Sequence, residues 1–138
     1  MISFIDTHSH IYGEEFDADR EEVVRRAREA GAEKLLLPNI DAASIEPMMA
    51  LCQAHSGFCH PMMGLHPTEL PPDPMPLLDE MEALIEADRR QDRAFVAIGE
   101  VGVDLYWDAS RREEQLEVFR RQARWSIRFG LQIGRAHV

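Results

Sequence analysis

The stretch AFVAIGEVGVD, residues 94–104, runs six residues without a charge or an amide and then meets a single carboxylate, Glu100. A compact apolar run with no polar alternation is the pattern of a strand buried on both faces, as in parallel sheets. An acid directly after such a run is badly placed as core, because an unpaired buried carboxylate costs several kcal/mol. Gly99 and Gly102 flank it and let backbone or ligand come close. Two readings fit: a turn that leaves Glu100 in solvent, or a carboxylate that ligates or bridges metal.

The rest of the chain repeats the same strand-then-helix unit. Ile2–Thr7 reads as a first strand, and 18–30 as a helix with Val23, Val24 and Ala27 on one face and Gly31 as its stop. Glu21 with Arg25, and Glu22 with Arg26, stand four apart on its solvated side. KLLLP, 34–38, is a second buried strand, followed by a helix with Ser44 as cap and Gly57 past its end. CHPMMG reads as a third strand despite Pro61. Asp73 and Pro74 are placed as N-cap and first residue of a helix carrying Leu77, Leu78, Met81, Leu84 and Ile85. Behind the fourth strand, Ser110 and Glu113 form a capping-box pattern ahead of Leu116, Phe119, Ala123 and Ile127. Arg120, Arg121, Arg124 and Arg128 on that helix read as a solvated face rather than a phosphate patch.

Four alternations of strand and helix, with no hairpin signal, argue for an α/β fold of parallel βαβ units joined by right-handed crossovers. A closed (β/α)₈ barrel takes about 250 residues. About four βα units in 138 residues make half of one, and an open four-stranded parallel sheet also fits. No apolar run approaches the ~20 residues of a membrane span, so no membrane partner is expected, and cytoplasmic residence is the expectation. Cys52 and Cys59 form no CxxC pair and read as reduced core thiols. The net charge of −10 repels polyanions at long range, so a site for phosphates needs a local cation such as a bound metal.

FIDTHSH, residues 4–10, supplies candidates for one. Residues two apart in a strand share a face, so His8 and His10 project together from the carboxyl end of the first strand, where parallel α/β folds keep their sites. Two imidazoles so placed can hold one ion; alone, the pair fits packed or surface histidines as well. His66, in GLHP, lies on the same rim and can meet substrate, or bond a loop carbonyl. His55 and His60 read as structural. Asp6 is the candidate partner of a ligating histidine, and Asp104 can position the Glu100 loop. No serine or cysteine nucleophile signature and no phosphate-cradling glycine loop occurs. The remaining constellation, two histidines and a glutamate on one rim, suits metal-activated water.

FIDTHSH, MMGLHP and AIGEVGVDLYW, followed by a helix with Gln115, Phe119 and Gln122, occur here in order and resemble the TatD family of metal-dependent hydrolases from about Ile2 to Leu131. The resemblance implies a TIM barrel, two divalent ions (zinc, manganese or magnesium) and hydrolysis of DNA phosphodiesters. His8 and His10 match the ligands of one ion and Glu100 the carboxylate shared by two; on this reading Glu100 is the catalytic residue and His66 helps hold substrate. The family's two further histidines and late aspartate have no counterpart, so residues 1–131 are expected to be a partial domain, its N-terminal half. Such a half exposes two sheet edges and is expected to be inactive and prone to aggregate. No obligate protein partner is evident.

The ending QIGRAHV bears on this. Ile133–Val138 can be encoded by the start of a common sequencing-library adapter, so residues 132–138 are expected to be a non-native tail and His137 to have no metal role. Within the same chemistry, the D-aminoacyl ester of a mischarged tRNA or another ester or amide is the alternative substrate. A PHP-type phosphoesterase also opens on an HxH strand but fits GLHP and GEVGVDLYW less well. A metal-free interaction module is the alternative of a different class.

Overall fold

The computed structural model describes residues 2–135, and His137 lies outside them. Five strands, β1 (Phe4–Asp6), β2 (Ala32–Pro38), β3 (Cys59–Met63), β4 (Ala97–Val101) and β5 (Gln132–Arg135), lie side by side in chain order and pair in parallel throughout. Four helices connect them: α1 (Arg20–Glu29), α2 (Ala42–Ala54), α3 (Met75–Arg90) and α4 (Arg112–Phe129). The fold is a parallel half-barrel with helices, four βα units and a further strand. Gln132–Arg135, which fall in the expected non-native tail, pair with β4 through Ala97↔Gln132 and Ile98↔Ile133.

The buried core joins sheet and helices in one cluster. Leu35, Leu37, Met63 and Ile98 of the strands belong with Met48, Leu78, Met81, Ile85, Val118 and Trp125 of the helices. Cys52 and Cys59 are free and buried within it, and burial pushes their thiols up to about 12 and about 11, so neither is a nucleophile at neutral pH. Pro61 sits inside β3 without breaking it. Its carbonyl accepts from Val96 N–H (3.0 Å), and its missing N–H points to the same side, where β4 has not yet begun. No helix among the described residues is long and apolar enough to cross a membrane.

Local details differ from the sequence expectations at the element ends. β1 is only three residues, so Thr7, His8 and His10 belong to the segment after it. The cap of α2 is Asp41, not Ser44; Ser44 is the other half of a capping box, its N–H bonding Asp41 Oδ1 at 2.9 Å. Pro74 occupies the N-cap of α3, although Asp73 Oδ1 still accepts from Met75 N–H. The Ser110–Glu113 box does not form. Ser110 N–H bonds Asp108, α4 starts at Arg112, and Arg111 ties that start to the carbonyls of Leu70 and Pro71. On α1, Arg25 pairs with Glu22 and Glu29 instead of Glu21, which faces His55.

The largest correction concerns α4. Its buried face is Gln115, Val118, Gln122 and Trp125, while Ile127 is 83% exposed and Leu116, Phe119 and Ala123 are half-buried. Two amides in the stripe hid it from a reading of apolar periodicity. On α3, Leu84 is likewise turned outward.

α3 and α4 are clamped by charges: Arg121 bonds Asp79 (2.5 Å) and Glu82 (2.9 Å), and Arg128 bonds Glu82 (2.8 Å). Burial opposes the ionisation of Glu82, but both arginines outweigh it and hold its carboxyl below the ordinary range. A depressed carboxyl stabilises the fold above its unfolded pKa and loses that contribution as pH falls through the folded value. Glu82→Gln is therefore expected to cost about 1 kcal/mol at neutral pH, with the deficit vanishing as pH drops below about 4. Urea melts at several pH values check this, and a deficit independent of pH contradicts it.

Candidate metal centre

Beyond Asp6 the chain turns, and its backbone is fixed before any side chain reaches the site. Asp6 Oδ1 accepts from His8 N–H (3.0 Å), and Ser9 N–H bonds Leu36 O (3.0 Å). Arg20, from the start of α1, donates to the carbonyls of Ile11 (2.8 Å), Tyr12 (3.2 Å) and Gly13 (2.8 Å). Asp6 thus bonds the backbone N–H of His8.

Held this way, His8 and His10 bring their Nε2 atoms to 3.0 Å from each other. Glu100 arrives from β4 and places Oε2 3.4 Å from His8 Nε2 and 3.2 Å from His10 Nε2. His66, after β3, sets its Nε2 3.5 Å from the other carboxylate oxygen, Oε1. The expected residues of the three strand ends therefore meet at one point, with Glu100 only 6% exposed.

The hydrogen bonds around the rings assign their protons. Burial raises the pKa of Tyr12, as does the charge of Glu100, so its phenol keeps its proton and donates it to Pro38 O. The phenol oxygen of Tyr12 in turn accepts from His10 Nδ1 (3.0 Å). With its proton on Nδ1, His10 turns an Nε2 lone pair toward the centre. His66 is the reverse: Thr68 N–H (3.1 Å) donates to its Nδ1, so neutral His66 carries its proton on Nε2 and presents a donor. Burial works against ionisation of Glu100, yet the neighbouring imidazoles of His10, His66 and His8 prevail and hold its carboxyl below the ordinary range.

An anionic oxygen and two imidazole nitrogens, one from each of the three residues, all lie within 4.8 Å of one another. An outward-turned lone pair on His10 facing a second imidazole nitrogen and a carboxylate is a donor set that a cation satisfies. His8, His10 and Glu100 fit a divalent metal.

The residues that sequence reasoning missed are the supports. Tyr12 is one; its place two residues after His10, on the same alternation, was the available signal. Asn39 is another. Fully buried after β2, it donates from Nδ2 to Asp41 O and Gly64 O, accepts at its own carbonyl from Glu100 N–H (2.9 Å), and bonds Gly99 O. A Cβ on Gly64 would lie 2.5 Å from the Gly99 carbonyl carbon, so glycine is required where β3 passes the Gly99–Glu100 backbone. The Asp104 backbone pairs through N–H and C=O with the Gln115 amide (2.8 and 2.9 Å), and its carboxylate accepts from Tyr106 N–H. Gln122 makes the same two-bond pairing with Leu65. His55 and His60 stay apart from the centre, His55 against Glu21 and His60 within β3.

The profile of the family described as TatD related DNase matches residues 5–133. The chain belongs to the TatD family. It is 34% identical over 117 residues to the uncharacterized metal-dependent hydrolase YabD of Bacillus subtilis, covering 85% of this chain and 44% of YabD. Human deoxyribonuclease TATDN3 is 31% identical over 140 residues, covering 96% of this chain and 51% of its own length. The crystal structure of YJJV, a TatD homolog from Escherichia coli K12, superposes with a TM-score of 0.85 at 30% identity over 96% of this chain and 49% of that one. This TatD chain spans about half the length of the relatives it matches.

Tyr12→Phe keeps the ring edge to face with His10 but removes the oxygen that fixes the His10 tautomer. Metal affinity, titrated against a chromophoric chelator, is expected to fall about tenfold with the melting profile nearly unchanged. Unaltered affinity would show that Tyr12 does not set the tautomer.

Proposed function

We propose that the whole protein is a metal-dependent hydrolase that cleaves phosphodiester bonds of DNA, and that His8, His10 and Glu100 are ligands in its centre. The observation that carries this is the meeting of two imidazole nitrogens and one oxygen of a nearly buried carboxylate, beside a histidine turned to donate. Human TATDN3, named a deoxyribonuclease, supports the choice of substrate.

Within this reading the side chains divide the work. His8, His10 and Glu100 would together hold a divalent ion. Glu100 faces the two histidines with Oε2 and His66 with Oε1. A divalent metal in such a site acidifies water and offsets charge on the phosphoryl oxygens. His66, with its proton on Nε2, donates to a non-bridging phosphate oxygen and orients the ester. The low pKa of Glu100 keeps it ionised, so it stays a ligand and takes no proton from water. Asp104, through the Gln115 amide, holds the loop beyond β4 beside them.

Release of nucleotides from an end-labelled DNA strand by the whole protein is expected to require added divalent metal. Glu100→Ala is expected to lower the rate at least 1,000-fold, about 4 kcal/mol of transition-state stabilisation. His66→Ala is expected to reduce turnover while leaving metal affinity unchanged. Normal turnover of Glu100→Ala at saturating metal contradicts the assignment, and hydrolysis of a D-aminoacyl ester in place of DNA would redirect the substrate.

A further inference from the structure

A cavity of about 350 Å³ opens beside the centre, between the loops that follow β3 and β4. His66, Thr68, Asp104, Trp107, Asp108 and Arg111 are among its walls. His66 also faces Glu100, so whatever fills the cavity adjoins the reacting group. Tyr106 and Trp107 are 78% and 81% exposed, an unusual placement for two large rings. They contact each other edge to face, centroids 4.7 Å apart at 88°. The loop under them is anchored by the Asp104–Gln115 pairing, the Tyr106 N–H bond to Asp104 and the Ser110 N–H bond to Asp108.

The charge in the cavity decides what it can take. Its one cationic wall residue, Arg111, is committed to the Glu114 carboxylate and to the carbonyls of Leu70, Pro71 and Pro72. Asp104 and Asp108 add negative charge. Beyond His66, a phosphate would meet the repulsion of Asp104 and Asp108, whereas a neutral planar ring would find an aromatic wall. We propose that this cavity seats a nucleobase, stacked on the indole of Trp107, next to the phosphate held at the metal centre. This deepens the nucleic-acid reading above and rests on it. The base stacks and the phosphate stays outside, so the subsite serves any of the four bases.

The test measures binding, not turnover. A fluorescein-labelled phosphorothioate deoxycytidine oligomer, which resists hydrolysis, is titrated with the chain at fixed metal and compared with an abasic strand of equal length. Trp107 also reports directly, because the other of the two tryptophans, Trp125, is buried. The deoxycytidine strand is expected to quench tryptophan emission and to bind about tenfold more tightly than the abasic one. Trp107→Ala is expected to abolish that difference by weakening only the base-bearing strand, and Trp107→Phe to keep most of it. If Trp107→Ala binds both strands as the unaltered chain does, the subsite is overturned while the nucleic-acid reading stands. If neither strand binds the unaltered chain, both are overturned.

Discussion

A carboxylate held almost out of water at the end of β4 sets the terms for everything around it. Glu100 is 6% exposed and ionised, a combination that burial alone forbids. What permits it is the convergence of three imidazoles on its two oxygens, from segments far apart in the chain. Those segments can reach it only because the strands run in parallel and deliver their carboxyl ends to one rim. The same requirement explains the absence of a side chain at Gly64, where a Cβ would collide with the Gly99 carbonyl. It also explains the burial of Asn39. A polar residue with no exposure survives there because its backbone and amide together bond Asp41, Met62, Gly64, Gly99 and Glu100.

The helices take part through amides. Gln115 and Gln122 sit on the buried face of α4, where leucine or valine would pack as well, and each closes a two-bond pairing with a loop backbone. Gln122 fixes Leu65, immediately before His66; Gln115 fixes Asp104, beyond Glu100. One rigid helix thereby sets two of the loops that form the rim. The position of His66 relative to Glu100 is consequently a property of α4 as much as of β3 and β4, and the Arg121 and Arg128 clamp to α3 belongs to the same frame.

This division decides what could be read from sequence. Strands announced themselves, because KLLLP and AFVAIG are buried on both faces and leave no competing period. The candidate ligands were legible for a related reason: histidines or an acid directly after an apolar run are conspicuous, and parallel topology puts strand ends together. Element ends were not legible, since Asp41 and Ser44 both cap well and only the turn geometry chooses between them. The buried face of α4 was hidden by its glutamines, whose partners Leu65 and Asp104 are remote in sequence. Asp6 reads from sequence as the partner of a ligating histidine, but that it bonds the backbone N–H of His8 depends on β1 ending at Asp6. Tyr12 and Asn39 carry no motif of their own; their importance lies entirely in what they bond.

Charge ties these observations together. With a net charge of −10, the chain offers a polyanion no attractive surface at long range, and Arg121 and Arg128 of α4 are spent on acids of α3. Recognition of a phosphate must therefore be concentrated where cations can be bound, and the donor set of His8, His10 and Glu100 is such a place. Nearby affinity has to come from groups indifferent to charge, which is what an exposed indole and phenol beside two aspartates provide. A strand of nucleic acid offers both kinds of handle, a phosphate and a ring. A surface of the opposite sign would bind such a strand anywhere along its length; on the proposed reading, this one would restrict the contact to the neighbourhood of the metal donor set.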